Sequence, residues 1–375
     1  MGYSEGDALL KAFARILERE APRPVLVARM LADAFLVLFP YKGKEELVTY
    51  CEAYSRALNG FIVSREQNYQ LELRSGICCV EDSDASDINS LLDRANMALK
   101  TIKMKGAAQW KFYDRTMRDK LLREKDLEIR MEKALADGEF LVYIQPKYWV
   151  GTRALAGGEA LVRWKSPDQG FLSPGEFIPL FEKNRFIVKL DQFMFTSVCG
   201  LLRQWLDAGI EPRPLSVNVS QMQFHTPDFV ERYIGIKSQY AIPDGLLELE
   251  FTESIFFDNV ALLSSAVHEF RRAGIKCSID DFGAGYSSLN VLKLDGMFFR
   301  TAKDDEQANI VIRNIMRMAG ELKMATVAEG VETPEQVAFL ETTGCDIIQG
   351  YVFARPMPAA EFTELLAGEG GHAEH

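Results

Sequence analysis

The chain has 375 residues, 47% of them hydrophobic and 26% charged, with a formal net charge of −11. That is the composition of an ordinary globular protein of about two domains. The acidic balance argues against a protein that coats DNA or RNA, which needs a basic face. No apolar run approaches the roughly 20 residues that cross a bilayer, and no signal peptide is evident.

Helix and strand signals alternate through the first stretch. Gly6–Glu20 has helical spacing, with Leu9, Leu10, Phe13, Ile16 and Leu17 on one stripe. Pro24–Arg29 and Phe35–Phe39 read as strands joined by a tight turn. Glu45–Leu58 reads as helix, Leu71–Val80 as strand and Asp87–Lys105 as helix, and Gln109–Tyr113 is positioned to close the sheet. Asp114–Asp137 is a charged helix read as a connector. It is either a solvated spacer or a helix that transmits a signal or helps dimerise.

Beyond it, short apolar strands recur with helices between them. The candidates are Leu141–Ile144, Ala156–Val162, Leu215–Asn218, Leu247–Glu250, Lys276–Asp280, Val291–Leu294, Thr326–Glu329 and Asp346–Gln349. Such alternation predicts an α/β fold, a (β/α)8 TIM-like barrel. The first pair is an exception: about ten residues separate the two strands, too few for a helical crossover, so they are expected to be antiparallel. The domain reading is therefore a small α+β domain over 1–113, a connector over 114–137, a barrel over 138–367 and a tail over 368–375.

Polar residues gather at the strand ends: Glu159, Asn218, Glu250, Asp280 and Asp281, Lys293, Glu329 and Gln349. A barrel brings strand C-termini to one face, where such folds do their chemistry. Five carboxylates on one rim repel one another unless cations neutralise them. Oxygen donors of this kind suit Mg²⁺ or Mn²⁺, and Asn218 adds a neutral oxygen. Ions held this way activate water and shield phosphate oxygens. Lys293 is suited to orient that water or to stabilise developing charge. The six cysteines, Cys51, Cys78, Cys79, Cys199, Cys277 and Cys345, form no CxxC pair and read as free thiols of a reducing cytosol.

These residues carry a family resemblance. Glu159-Ala160-Leu161, extended by Arg163-Trp164, is the EAL signature. Asp280 through Leu289 resembles the family's DDFGxGYSSL loop. Glu329 through Thr333 and Gln349-Gly350-Tyr351 resemble its EGVET and QGY blocks, and Tyr143 through Lys147 its YxQPK opening strand. The resemblance runs from about Phe140 to Phe362. It implies a metal-dependent phosphodiesterase that hydrolyses cyclic-di-GMP to linear pGpG with two Mg²⁺ or Mn²⁺ ions, in bacterial second-messenger signalling. Carried over residue by residue, Glu159, Asn218, Glu250, Asp280 and Asp281 are metal ligands. Lys293, Glu329 and Glu159 are catalytic. Gln145, Leu161, Arg163, Gln349 and Arg355 contact substrate, and Glu253 and Glu332 support the loops.

The N-terminal part resembles the GGDEF fold of diguanylate cyclases. Gly2 through Asp7 is similar to its GHxxGD segment and Ser75-Gly76-Ile77 to its SIGI strand. Where that family has GGDEF, this chain reads Leu31-Ala32-Asp33-Ala34-Phe35. The missing glycines close the backbone approach to a nucleotide, and Ala34 removes an acidic ligand. The expectation is a truncated, degenerate domain with a structural or regulatory role and no cyclase activity.

One feature departs from the family pattern. Leu292-Lys293-Leu294-Asp295 follows Asn290 almost at once, where the family has a helix, and a parallel crossover normally takes a dozen or more residues. Three explanations stand: an omitted segment, an opened barrel, or a displaced Lys293 whose role passes to Lys303. Lys293 is preferred, because Phe298 and Phe299 follow at the family's spacing. The same region is a common dimer contact in the family, which leaves a homodimer open. The expected ligand is cyclic-di-GMP. The rival functions are a cyclic-di-GMP receptor that does not cut and a scaffold that neither binds nor cuts it and works through protein partners. The expected location is the cytoplasm, as a cytoplasmic part of a larger sensory protein or alone.

Overall fold

The computed structural model describes residues 3–19, 24–64, 71–81, 87–102, 109–252, 254–280, 291–296 and 306–370. The chain divides into two compact units, 1–125 and 126–375.

In the first unit, α1 (Tyr3–Arg19) leads into a hairpin of β1 (Leu26–Arg29) and β2 (Phe35–Leu38), paired antiparallel. Then come α2 (Lys44–Val63), β3 (Ser75–Ile77), α3 (Ile88–Lys100) and β4 (Trp110–Phe112). The apolar stripe of α1 works as its spacing predicts. Phe13 and Leu17 pack with Tyr54, Leu58 and Ile62 of α2 and with Val27, Phe35 and Val37 of the hairpin. Asp87 caps α3, its carboxylate accepting from the Ser90 N–H at 3.0 Å.

Two expectations need correction. The strand expected over Leu71–Val80 is only Ser75–Ile77. At Leu71 the side-chain amide of Asn59 takes the place of a strand neighbour: it accepts from the Leu71 N–H at 3.1 Å and donates to its carbonyl at 3.2 Å. Gln109–Tyr113 does not close one sheet either. Among the described residues, β4 pairs in parallel with β3 alone, and β1–β2 form a separate two-stranded sheet. Gly76 is required where β3 meets α3, since a Cβ there would lie 2.0 Å from the Ala95 carbonyl oxygen.

The helix α4 (Arg115–Ala136) was expected to be a connector throughout. Its second half instead belongs to the barrel unit. Leu127 and Ala134 are buried in a cluster with Phe140, Trp164, Phe177 and Phe181.

The second unit is the barrel. The hairpin β5 (Phe140–Trp149) and β6 (Leu155–Ser166) is antiparallel, as the short connection predicts. It runs longer than the expected Leu141–Ile144 and Ala156–Val162: β7 (Gly170–Leu172) folds back on Trp164–Ser166, and Lys147–Trp149 pair with Ile347–Gln349. Next come α5 (Pro174–Lys183), opened by a capping box of Ser173 and Glu176, and α6 (Ile187–Asp207). They are followed by β8 (Leu215–Val219), a short 3-10 turn at Gln221–His225, α7 (Phe229–Gln239), β9 (Leu247–Thr252), α8 (Ser254–Arg272), β10 (Lys276–Asp280) and β11 (Val291–Leu294). Then come α9 (Glu306–Glu321), β12 (Ala325–Ala328), α10 (Pro334–Thr343), β13 (Ile347–Gln349), β14 (Met357–Pro358) and α11 (Ala359–Gly370).

Strand order around the barrel is β5-β6-β8-β9-β10-β11-β12-β13, and β13 pairs with β5 to close it. The pairs from β6 to β13 are parallel, and β5 is antiparallel to both its neighbours. The fold is therefore an eight-stranded barrel with an antiparallel first pair, preceded by a small α+β region. The shortened segment neither opens the barrel nor displaces Lys293. Ser278 and Ile279 of β10 lie beside Val291 and Leu292 of β11 in parallel register, although residues 281–290 are outside the described set.

The main core lies between barrel and helices. Val217, Leu249 and Phe251 pack under Phe195, Leu202, Tyr233 and Phe270.

Candidate active site

Strand alternation divides the barrel residues between two environments. On β9, Leu247, Leu249 and Phe251 join the apolar core, while Glu250 between them turns inward and is 1% exposed. Glu159 of β6 and Lys293 of β11 are also buried. Glu329 directly follows β12, its N–H donating to the Leu294 carbonyl at 2.9 Å.

These side chains meet. The Lys293 ammonium lies 2.5 Å from Glu250 Oε2 and 2.6 Å from Glu329 Oε1. Glu159 Oε1 accepts from Asn218 Nδ2 at 2.6 Å, and its Oε2 accepts from Gln349 Nε2 at 2.5 Å. Gln349 also donates to Gln145 Oε1 at 3.2 Å, and Gln145 donates to the Ala354 carbonyl at 3.4 Å. Among the described residues, Glu159, Glu250 and Glu329 each offer a carboxylate oxygen within 4.8 Å of the others, a group that can hold a metal ion.

Electrostatics separates the acids. Burial pushes the Glu159 carboxyl above its ordinary pKa, and neighbouring Glu250 adds to the rise. Burial works on Glu250 in the same direction, but Lys147 and Lys293 outweigh it and hold that carboxyl down at about 2. The donor chemistry fits a hard divalent cation: the donors are carboxylate oxygens, and the burial that raises Glu159 is a cost that a bound cation would offset.

Lys147 closes the YxQPK block but carries no role among the expected site residues. Its Nζ donates to Ser216 Oγ at 2.7 Å and to Glu250 Oε1 at 3.0 Å. The signal that finds it is strand alternation, which puts it on the same face as Gln145.

The other expected residues are more peripheral. Leu161 is half-buried and faces Tyr143 across the hairpin. The Arg163 guanidinium lies 5.7 Å from the centre of the Tyr143 ring, and Arg355 is exposed and stacks over Tyr351 at 4.8 Å. Glu332 is exposed just before the capping box of α10. Asp280 ends β10, but its side chain lies outside the described residues, as do Asp281, Glu253 and Lys303.

Residues 129–356 match the sequence profile of the EAL domain. The chain belongs to the EAL domain family. Residues 1–109 match the diguanylate cyclase GGDEF domain, so the EAL domain follows an N-terminal GGDEF domain. The chain is similar to the cyclic di-GMP phosphodiesterase NbdA of Pseudomonas aeruginosa, with 30% identity over 98% of this chain and 48% of that protein. It is also 30% identical to the cyclic di-GMP phosphodiesterase PdeR of Escherichia coli, over 96% of this chain and 55% of that protein. The chain thus spans about half the length of these curated relatives. The structure of the PaMucR phosphodiesterase in its c-di-GMP complex superposes with a TM-score of 0.60 and 31% identity, over 63% of this EAL chain and 99% of that one. No helix among the described residues is long and apolar enough to cross a membrane.

Proposed function

We propose that the chain hydrolyses one 3′–5′ phosphodiester bond of cyclic-di-GMP to give linear pGpG, with Mg²⁺ or Mn²⁺ in a two-ion site. The observation that carries this reading is the convergence of Glu159, Glu250 and Glu329 around the buried ammonium of Lys293. The kinship with named cyclic di-GMP phosphodiesterases supports it.

In this reading Glu159, Asn218, Glu250, Asp280 and Asp281 hold the ions. Bound there, the ions would lower the pKa of a water and neutralise phosphate oxygens. The protein's own groups do the rest. Lys293, held between two carboxylates, is placed to present positive charge where the phosphate's charge develops. Glu329 anchors Lys293. Gln349 fixes one oxygen of Glu159 and, with Gln145, Leu161, Arg163 and Arg355, forms the nucleotide-facing surface. Glu253 and Glu332 support the adjoining loops. The GGDEF domain is structural or regulatory and not a cyclase, because Ala32 and Ala34 stand where nucleotide and metal contacts are needed.

A second reading, a receptor that holds cyclic-di-GMP without cutting it, draws on the short connection between β10 and β11. One experiment separates the two. Purified protein incubated with cyclic-di-GMP and Mn²⁺ is expected to yield pGpG, resolved by chromatography. Glu159→Ala is expected to slow this by at least about 100-fold. Saturable binding with no product would favour the receptor. Unchanged turnover in Glu159→Ala would overturn the site assignment.

A further inference from the structure

Lys147 occupies an unusual place for a lysine. Its residue is 6% exposed, and an ammonium taken from water costs several kcal/mol unless its partners are well placed. Its two partners are Glu250 Oε1 and Ser216 Oγ, and Ser216 in turn donates to the Gly158 carbonyl at 3.4 Å.

The topology explains how it gets there. Because β5 is antiparallel to its neighbours, each step along it descends while the other strands rise. Gln145 stands opposite Glu159, but Lys147 stands opposite Gly157, two positions earlier on β6. A register irregularity between Lys147 and Tyr148 follows at once, the kind of local break that re-aims a side chain beside a site. Lys147 therefore reaches Glu250 from deeper in the barrel. Lys293 comes from β11 and meets the other oxygen. Glu250 is gripped at both ends, Oε1 by Lys147 and Oε2 by Lys293.

The two grips differ in kind. Lys293 also pairs with Glu329 and so belongs to the carboxylate cluster. Among the described residues, Lys147 donates to no second carboxylate; its other partner is a serine hydroxyl fixed to the backbone of β6. Outer partners of ligating carboxylates set the orientation of the ligand. We propose that Lys147 is a positioning residue: by holding Oε1 of Glu250 from the side away from Lys293, it fixes the orientation in which that carboxylate joins Glu159 and Glu329 around a divalent cation. This rests on the metal-site reading above and extends it to a residue outside the ligand set.

The test measures Mn²⁺ binding without nucleotide, from the electron paramagnetic resonance signal of free Mn²⁺. Wild type, Lys147→Met, Ser216→Ala and Leu202→Ala are compared, each first checked for folding by circular dichroism. Leu202 is a fully buried core residue of α6 and controls for destabilisation alone. Lys147→Met is expected to weaken Mn²⁺ binding by about 10- to 100-fold. Ser216→Ala should shift it in the same direction by roughly two- to tenfold, since neutral hydroxyl hydrogen bonds are lost rather than a charge. Leu202→Ala should leave it unchanged.

If wild type binds no Mn²⁺, the metal-site reading fails and the role of Lys147 falls with it. If wild type binds and Lys147→Met binds equally well or more tightly, only the positioning role is overturned. A loss in Leu202→Ala equal to that in Lys147→Met also overturns it. Should Lys147→Met not fold, Ser216→Ala decides, and unchanged binding there rejects the proposal.

Discussion

Two buried carboxyls of the barrel unit respond to burial in opposite ways. Glu250 is held at about 2 because two ammonium groups outweigh its desolvation. Asp191, on α6, has only neutral donors against it: the Ser220 N–H at 2.9 Å and Gln223 Nε2 at 3.3 Å. Burial pushes its pKa up to about 7, and nearby Glu182 adds to the rise. The sign of the consequence follows from proton counting. From roughly pH 4, the ordinary carboxyl value, the unfolded chain has released the proton that folded Asp191 keeps. Stability from this group therefore falls as pH rises toward about 7 and levels off above it. Asp191→Asn removes that component. Melting temperatures between pH 5 and 8 should decline less steeply in the variant than in wild type, and parallel curves would contradict the account.

At the scale of the element, the β1–β2 hairpin turns at Leu31–Ala34 without a glycine. Ala32 adopts φ 49°, a left-handed conformation that favours glycine. The turn is held by the Ala34 N–H donating to the Leu31 carbonyl at 2.8 Å and by the Arg29 guanidinium donating to the Ala32 carbonyl at 2.7 Å. Ala32→Gly should therefore stabilise the GGDEF unit by about 0.5–1 kcal/mol, read as a higher urea midpoint. A lower midpoint would mean that glycine's extra freedom in the unfolded chain outweighs the relieved strain.

The same scale explains what local reading misses. Asn59 satisfies the backbone of Leu71, a long-range substitution that no apolar pattern in residues 71–80 announces. The burial of Leu127 and Ala134 depends on aromatic residues that arrive later in the chain, so a charged helix reads as a spacer until Phe140 and Trp164 are in place.

For the whole molecule, the barrel is legible in the sequence because each strand is a short apolar run that ends in a polar residue. Val291–Leu294 and Lys276–Asp280 appear with the boundaries expected of them. The antiparallel first pair follows from loop length alone. The site is legible in outline, since Glu159, Glu250, Lys293 and Glu329 lie on separate strands or strand ends that closure brings together. For Lys147, strand alternation within the YxQPK block gives the inward face, but the partner it meets depends on the direction of β5 relative to the other strands, which is a property of topology. The shortened link between β10 and β11 leaves an opened barrel as one of three readings of the sequence; strand pairing on both sides of β11 closes it.

The central claim is that distant acidic side chains jointly bind divalent ions inside this barrel. Anomalous X-ray diffraction from crystals grown with Mn²⁺ tests it most directly. The account predicts a manganese peak at oxygen-ligand distance, about 2.0–2.3 Å, from both Glu159 and Glu250. A map with those carboxylates ordered and no manganese shared between them would contradict it.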